Sequence, residues 1–151
     1  MVELKFLIKS FKNLKSNELF DMYYLRQEVF VVEQNCPYQD CDQKDKKSLH
    51  LLAYDGEILV AYLRIVEPSE IISEPSIGRV VTKSSYRGQG IGRLLMNKGI
   101  EHSKSVFNQN KLRISAQQYL IPFYESLMFT TVGAGYLEDD IPHIEMIYNP
   151  N

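Results

Sequence analysis

The stretch from residue 77 to residue 93, Ile-Gly-Arg-Val-Val-Thr-Lys-Ser-Ser-Tyr-Arg-Gly-Gln-Gly-Ile-Gly-Arg, restricts the possible folds more than any other part of the chain. It reads as a short β-branched strand over 77–82, a Ser- and Gly-rich loop, three alternate glycines, and a helix over about 91–105. Gly88, Gly90 and Gly92 have no Cβ, so the backbone there can turn tightly and approach a ligand. A helix that begins at such a loop presents unpaired N–H groups and the positive end of its dipole, which together favour an anion, most naturally a phosphate. Arg87 and Arg93 flank the loop and reinforce that preference. A Walker loop is excluded, because Arg93-Leu94 stands where Lys-Ser/Thr is needed. A dinucleotide fingerprint fits poorly: the spacing is G-x-G-x-G, and the next strand ends in Ala116-Gln117 with no acidic residue. The pattern that remains is Arg-x-x-Gly-x-Gly. The competing reading is a bare turn with a close helix–sheet contact.

The rest of the chain supplies a sheet for this element. Residues 2–9 alternate around Val2, Leu4, Phe6 and Ile8, as in a half-buried strand. Ser16 or Asn17 can cap a helix reaching about Phe30, and the polar stretch 34–47 reads as a loop. Strands over 49–54 and 57–67 flank Asp55-Gly56, a hairpin signal. A strand over 112–116, a short helix over 120–127 with Pro122 in its first turn, a turn at Gly133 and Gly135, and a strand over 144–148 complete the pattern. That order predicts an α/β or α+β fold with one mixed sheet, in a single domain spanning 1–151.

Composition narrows the partners. With 17 Lys and Arg against 19 Asp and Glu, the net charge of −2 gives no basis for nucleic-acid binding. The longest apolar run, 58–63, is far too short for a membrane helix, and the charged N-terminal stretch has no signal-like apolar region. Two cysteines do not make a disulfide framework, so a cytoplasmic protein with reduced thiols is expected. The charges are nonetheless segregated. Residues 75–100 carry five basic and no acidic side chains, whereas residues 114–151 carry five acidic and no Lys or Arg. Cys36, Cys41 and His50 fall short of a zinc set, and Asp40, Asp42 and Asp45 lack the Gly and closing Glu of a calcium loop. No metal is expected.

Arg87-Gly-Gln-Gly-Ile-Gly92 resembles the pyrophosphate loop of the GNAT acetyltransferases. Three further stretches resemble the ElaA-like group within that family: Leu25-Arg-Gln-Glu-Val-Phe-Val-Val-Glu-Gln-Asn-Cys-Pro-Tyr-Gln-Asp40, Gly78-Arg-Val-Val81 and Glu138-Asp-Asp-Ile-Pro-His-Ile-Glu-Met146. The resemblance covers about residues 19 to 146. It implies the GNAT acyl-CoA N-acyltransferase fold, acetyl-CoA as cosubstrate, and a small-molecule or peptide amine as acceptor. Under it, backbone groups of Val80, Val81 and Thr82 pair with the pantetheine arm, and Arg87, Gly88, Gln89, Gly90, Ile91 and Gly92 hold the pyrophosphate. Tyr124 matches the tyrosine that protonates the departing thiolate. Gln117 stands where the family often has Asn, and Met128 where it has Gly. The family commonly dimerises, so a homodimer is an expectation that no stretch here specifies.

Transfer to an amine also needs a base, because a lysine-like ammonium loses its proton only near pH 10 in solution. Glu33 follows Val31-Val32, where burial would raise its pKa into a useful range. The stretch 34–45 and the end at 141–145 are expected to shape the acceptor pocket, with Gln34, Asp42, His50 and His143 as acceptor-binding candidates. An acidic, solvated turn there would suit a cationic acceptor. Both histidines sit among apolar residues, a setting in which packing is the commoner role. The rival functional class is a non-catalytic acyl-CoA-binding or sensing module, and a weaker one is a nucleotide-binding protein.

Overall fold

A computed structural model describes residues 3–150. Within these residues seven strands form one sheet: β1 Lys5–Ser10, β2 Leu49–Asp55, β3 Ile58–Val66, β4 Ser76–Thr82, β5 Leu112–Gln117, β6 Phe129–Glu138 and β7 Ile141–Tyr148. Their order is β1-β2-β3-β4-β5-β7-β6, and every neighbouring pair is antiparallel except β4 and β5. Among the described residues three α-helices accompany the sheet: α1 Ser16–Arg26, α2 Ile91–Phe107 in the β4–β5 crossover, and α3 Ile121–Glu125. Among the described residues no helix is long and apolar enough to cross a membrane.

The near-continuous apolar runs of β2 and β3 are explained by burial on both faces. Leu51, Ala53, Ala61, Leu63 and Ile65 pack with Leu95, Met96 and Ile100 of α2. The alternate residues Leu52, Tyr54 and Tyr62 pack with Met22 and Leu25 of α1. The Asp55-Gly56 hairpin forms as predicted, with Gly56 at φ +60°.

Several elements differ from the sequence reading. Residues 1–2 lie outside the described residues, and β1 begins at Lys5. Ser16 is the first residue of α1 rather than its cap; the Glu18 carboxylate accepts from the Lys15 N–H at 2.8 Å and pairs with Lys9 at 2.8 Å. The predicted helix to Phe30 ends as α at Arg26 and continues as a π-helical segment, Gln27–Glu33. Gly133 and Gly135 lie inside β6, and the turn is made by Asp139 and Asp140, both at positive φ. As an edge strand with an almost wholly exposed face, β6 lacks the apolar alternation that would have revealed it.

The stretch 34–47 is not a solvated acidic turn. Asp40 and Asp45 are buried, and three arginines neutralise the loop. Arg26, fully buried on α1, pairs with Asp40 at 2.7 Å and with Asp45 at 2.9 Å. Arg64 reaches Asp42 at 2.6 Å and Asp45 at 2.9 Å, while Arg79 reaches Asp40 at 2.8 Å. His50 belongs to the same cluster. Its Nε2–H donates to the Asp45 carbonyl at 2.8 Å, so Nδ1 accepts from the Tyr62 hydroxyl at 2.6 Å. Burial lowers the His50 pKa and keeps the ring neutral.

Burial alone would raise the Asp45 carboxyl, but the hydrogen bonds and charges of Arg26 and Arg64 outweigh it and bring its pKa from 3.8 down to about 2. A folded-state value below the unfolded one stabilises the protein by about 2 kcal/mol above roughly pH 4, and that contribution is lost as the pH falls through about 2. Asp45→Asn should therefore lower stability at pH 7 by about 3 kcal/mol and flatten the acid dependence of the denaturant midpoint below pH 4. At the end of the α3 turn, Met128 is exposed with φ +76°. Left-handed backbone costs a side-chain-bearing residue about 1–2 kcal/mol, partly offset by glycine's greater entropy when unfolded. Met128→Gly should stabilise by about 0.5–1 kcal/mol, read as a rise of about 1–3 °C in the melting midpoint.

Candidate active site

The parallel strands β4 and β5 pair only at Ser76–Arg113 and Ile77–Ile114, and then diverge. The cause lies on the other edge of β4. Tyr62 opposes Val81 and Arg64 opposes Gly78, so two steps along β3 face three along β4. The extra residue makes a bulge in which Arg79 takes φ +54°, and a bulge bends its strand. The pair with Asp40 and a stacking contact between its guanidinium and Tyr38, 5.7 Å from the ring centre, hold Arg79 in place.

The gap between the diverging strands is a cavity of about 790 Å³, within the usual range for small-ligand sites. Val80, Val81 and Thr82 line one side, and Ser115 and Gln117 the other. At one end stand Arg87, Gly88, Gly90, Ile91 and Gly92 at the start of α2. Gly88 and Gly90 have φ of +80° and +78°, so two of the three glycines are required by backbone geometry. A Cβ on Gly92 would meet Phe123 at 3.6 Å, an ordinary contact, so the third is not. Gln89 is exposed and does not line the cavity.

Arg87 donates to the Thr82 carbonyl at 3.1 Å and pairs with Glu33 at 2.7 Å. Glu33 is thus not the buried carboxylate expected from Val31-Val32. Its side chain is 39% exposed, because the π-helical segment turns it outward to Arg87. Arg93 donates to Ser126 at 2.8 Å and lies over the Phe123 ring. The other basic residues of this region face elsewhere: Arg79 joins the aspartates, Lys83 pairs with Glu28 at 3.1 Å, and Lys98 stands 4.7 Å from the Phe6 ring centre.

Tyr124 of α3 forms part of the wall. It is 6% exposed and held edge-on by Phe123 and Phe129. Burial, and secondarily the neighbouring Tyr119, raise its pKa above that of a free phenol, so the hydroxyl keeps its proton. The far end of the cavity carries Gln34, Cys36, Tyr38, Glu138, Asp139 and His143. The Gln117 amide reaches Gln34 at 3.5 Å, and the Cys36 thiol donates to the Asp139 carbonyl at 3.5 Å across the mouth.

Of the four residues expected at the acceptor, Gln34 and His143 line the cavity; Asp42 and His50 do not. Asp42 is engaged by Arg64 and caps the Lys44 N–H, and His50 is sealed in the core. Ser115 and Glu138 line the site without having been singled out, and Tyr38 does so within the stretch 34–45 expected there. Ser115 was accessible to a period-2 reading of β5, since it shares a face with Gln117. Among the described residues no three His, Cys, Asp or Glu side chains are grouped to hold a metal ion.

Comparison with known proteins gives this geometry a family. Residues 15–149 match the acetyltransferase (GNAT) domain model. The chain is 42% identical over 148 residues to a UPF0039 protein of Schizosaccharomyces pombe, covering 97% of each chain. It is 39% identical over 135 residues to protein ElaA of Escherichia coli K12, covering 88% of each. The crystal structure of an acyl-CoA N-acyltransferase from Pseudomonas aeruginosa superposes with a TM-score of 0.92 at 40% identity, covering 97% of this chain and 100% of that one. The E. coli ElaA crystal structure follows at 0.90 and 36%, with 97% and 100% covered. The diverging β4 and β5, the glycine loop that opens α2, and the sequence as a whole agree: the chain belongs to the GNAT acetyltransferase family.

Proposed function

We propose that the protein is a single-domain N-acetyltransferase that moves an acetyl group from acetyl-CoA to a primary amine by direct attack. The observation that carries this reading is the cavity between β4 and β5, with the start of α2 at one end and a protonated, buried Tyr124 in its wall.

The donor fits the site's chemistry. A diphosphate gains the free N–H groups and dipole of α2 and the charge of Arg87. The extended pantetheine arm meets the strand edge at Val80–Thr82, which has lost its β5 partner and supplies amide donors and acceptors. One of those N–H groups is suited to the oxyanion that forms when the amine adds to the thioester. Collapse of the tetrahedral intermediate releases a thiolate, and the Tyr124 phenol supplies its proton. The acceptor enters from the end bearing Gln34, Tyr38 and His143, and a small-molecule amine or a peptide amine can do so. Both cysteines are free thiols, in keeping with a cytoplasmic enzyme.

Tyr124→Phe should leave the Kd for CoA within about twofold and lower thiol release from acetyl-CoA by about 100-fold or more. Unchanged turnover would remove Tyr124 from the reaction. Wild-type protein that binds CoA but transfers to no amine would instead identify a binding module. Gly90→Val places a β-branched residue at φ +78° and should weaken CoA binding about tenfold or more, measured by calorimetry.

A further inference from the structure

We infer that His143 is the general base for the acceptor amine, with Glu138 as its partner. The inference rests on the transferase reading and assigns the one role that reading leaves open.

Strand register puts the residue where the acceptor enters. Gln117 of β5 and Tyr136 of β6 both oppose His143 of β7, so the three side chains stand in a row on one sheet face. Ser115, two residues before Gln117, shares that face and is hydrogen-bonded to the Tyr136 hydroxyl. Ser115, Gln117 and His143 all line the cavity, so this face is the wall opposite the β4 edge.

The imidazole is held by two contacts, and the main chain of the residue by a third. Its Nδ1–H donates to the Ile141 carbonyl at 2.7 Å, an atom that only accepts, so in the neutral ring Nε2 carries the lone pair. The Gln118 amide donates to the His143 carbonyl at 2.9 Å, and the Tyr136 ring stacks at 6.1 Å and 22°. β6 is shaped to permit this. Between Val132 and Tyr136 it takes four steps while β7 takes two from Glu145 to His143, and Gly133 turns the bulge at φ +76°. A Cβ on Gly135 would collide with the Gln118 amide that holds the His143 main-chain carbonyl. The two glycines that resembled a turn in the sequence thus shape the strand that flanks His143 and leave room for the bond to its main chain.

Nε2 lies 3.3 Å from the Glu138 carboxylate, which is half exposed. With the ring neutral, two acceptors face each other; a proton arriving on Nε2 satisfies both. The other charged groups around the ring are committed or lie at the rim. Glu145, two residues along β7, pairs with Arg113 at 3.1 Å, and Asp139 sits at the exposed hairpin turn. Glu33, the competing base, is bound to Arg87 at the donor end.

In the reaction, the acceptor ammonium gives one N–H proton to Nε2, forming an imidazolium beside Glu138. The freed nitrogen lone pair forms the C–N bond at the thioester carbonyl. Collapse breaks the C–S bond, the thiolate takes the Tyr124 proton, and the second amine proton restores the phenol. The proton on His143 leaves through Glu138 to solvent. The products are an amide, CoA thiol and one released proton.

The test measures thiol release from acetyl-CoA against pH with 1,4-diaminobutane, glucosamine and a lysine peptide as acceptors, alongside CoA binding. For His143→Gln we expect a CoA Kd within about twofold of wild type, kcat reduced about 100-fold or more, and loss of the single-proton limb on the acid side of the profile. His143→Ala should regain part of its rate with added imidazole. A His143→Gln enzyme with wild-type turnover and an intact acid limb would overturn the assignment and leave the transferase reading standing. Collapse of CoA affinity in both variants without imidazole rescue would make His143 structural and equally overturn it. Wild-type protein that acetylates none of the acceptors would overturn the transferase reading and this assignment together.

Discussion

Arg79 joins the backbone geometry of the site to its charge balance. Its left-handed backbone bends β4 away from β5 and so creates the cavity. Its guanidinium, pinned by Asp40 and stacked on Tyr38, draws the segment between α1 and β2 up to the rim of that cavity. Without the bulge, β4 and β5 would continue to pair and leave no room for an extended ligand. Without the aspartates, a strained residue in a central strand would keep only its stacking on Tyr38. Strain of this kind persists only where surrounding contacts over-determine it, and here the contacts are ionic and largely buried.

Much of this was legible in the sequence because it rests on short-range chemistry. Gly88 and Gly90 announce a left-handed loop before a helix, and Asp55-Gly56 announces a hairpin. The features that were not legible depend on distant partners. Asp40, Asp42 and Asp45 look like a hydrated turn until Arg26, Arg64 and Arg79 arrive from α1, β3 and β4. His50 looks like a ligand-binding residue until Tyr62 and the Asp45 carbonyl are seen to take both ring nitrogens. The π-helical segment adds residues to a turn in a way that no apolar period records, and it moves Glu33 from a buried site to Arg87. β6 was missed because an exposed edge strand with a glycine bulge carries neither alternation nor hydrophobicity.

The segregation of charge along the sequence also changes meaning in three dimensions. The basic run does not gather at the glycine loop: Arg87 and Arg93 remain there, while the others serve Asp40, Glu28 and the Phe6 ring. The acidic run divides as well, with Glu145 held by Arg113 and Glu138 set against His143. Linear charge counts locate neither end of the cavity; the pairings do.

The two rungs between β4 and β5 have a consequence for the energetics of the molecule. The sheet consists of two blocks, β1 to β4 and β5 to β6, hydrogen-bonded to each other through that short junction and bridged by α2. On the function proposed above, a ligand laid along the open edge of β4 would occupy the place of the missing strand, and its occupancy and conformational stability would become linked quantities. At a CoA concentration 100 times its Kd, the folded form gains about 2.7 kcal/mol. For a protein whose total stability is on the order of 5–15 kcal/mol, a bound donor would then be a sizeable share of what keeps the two blocks together.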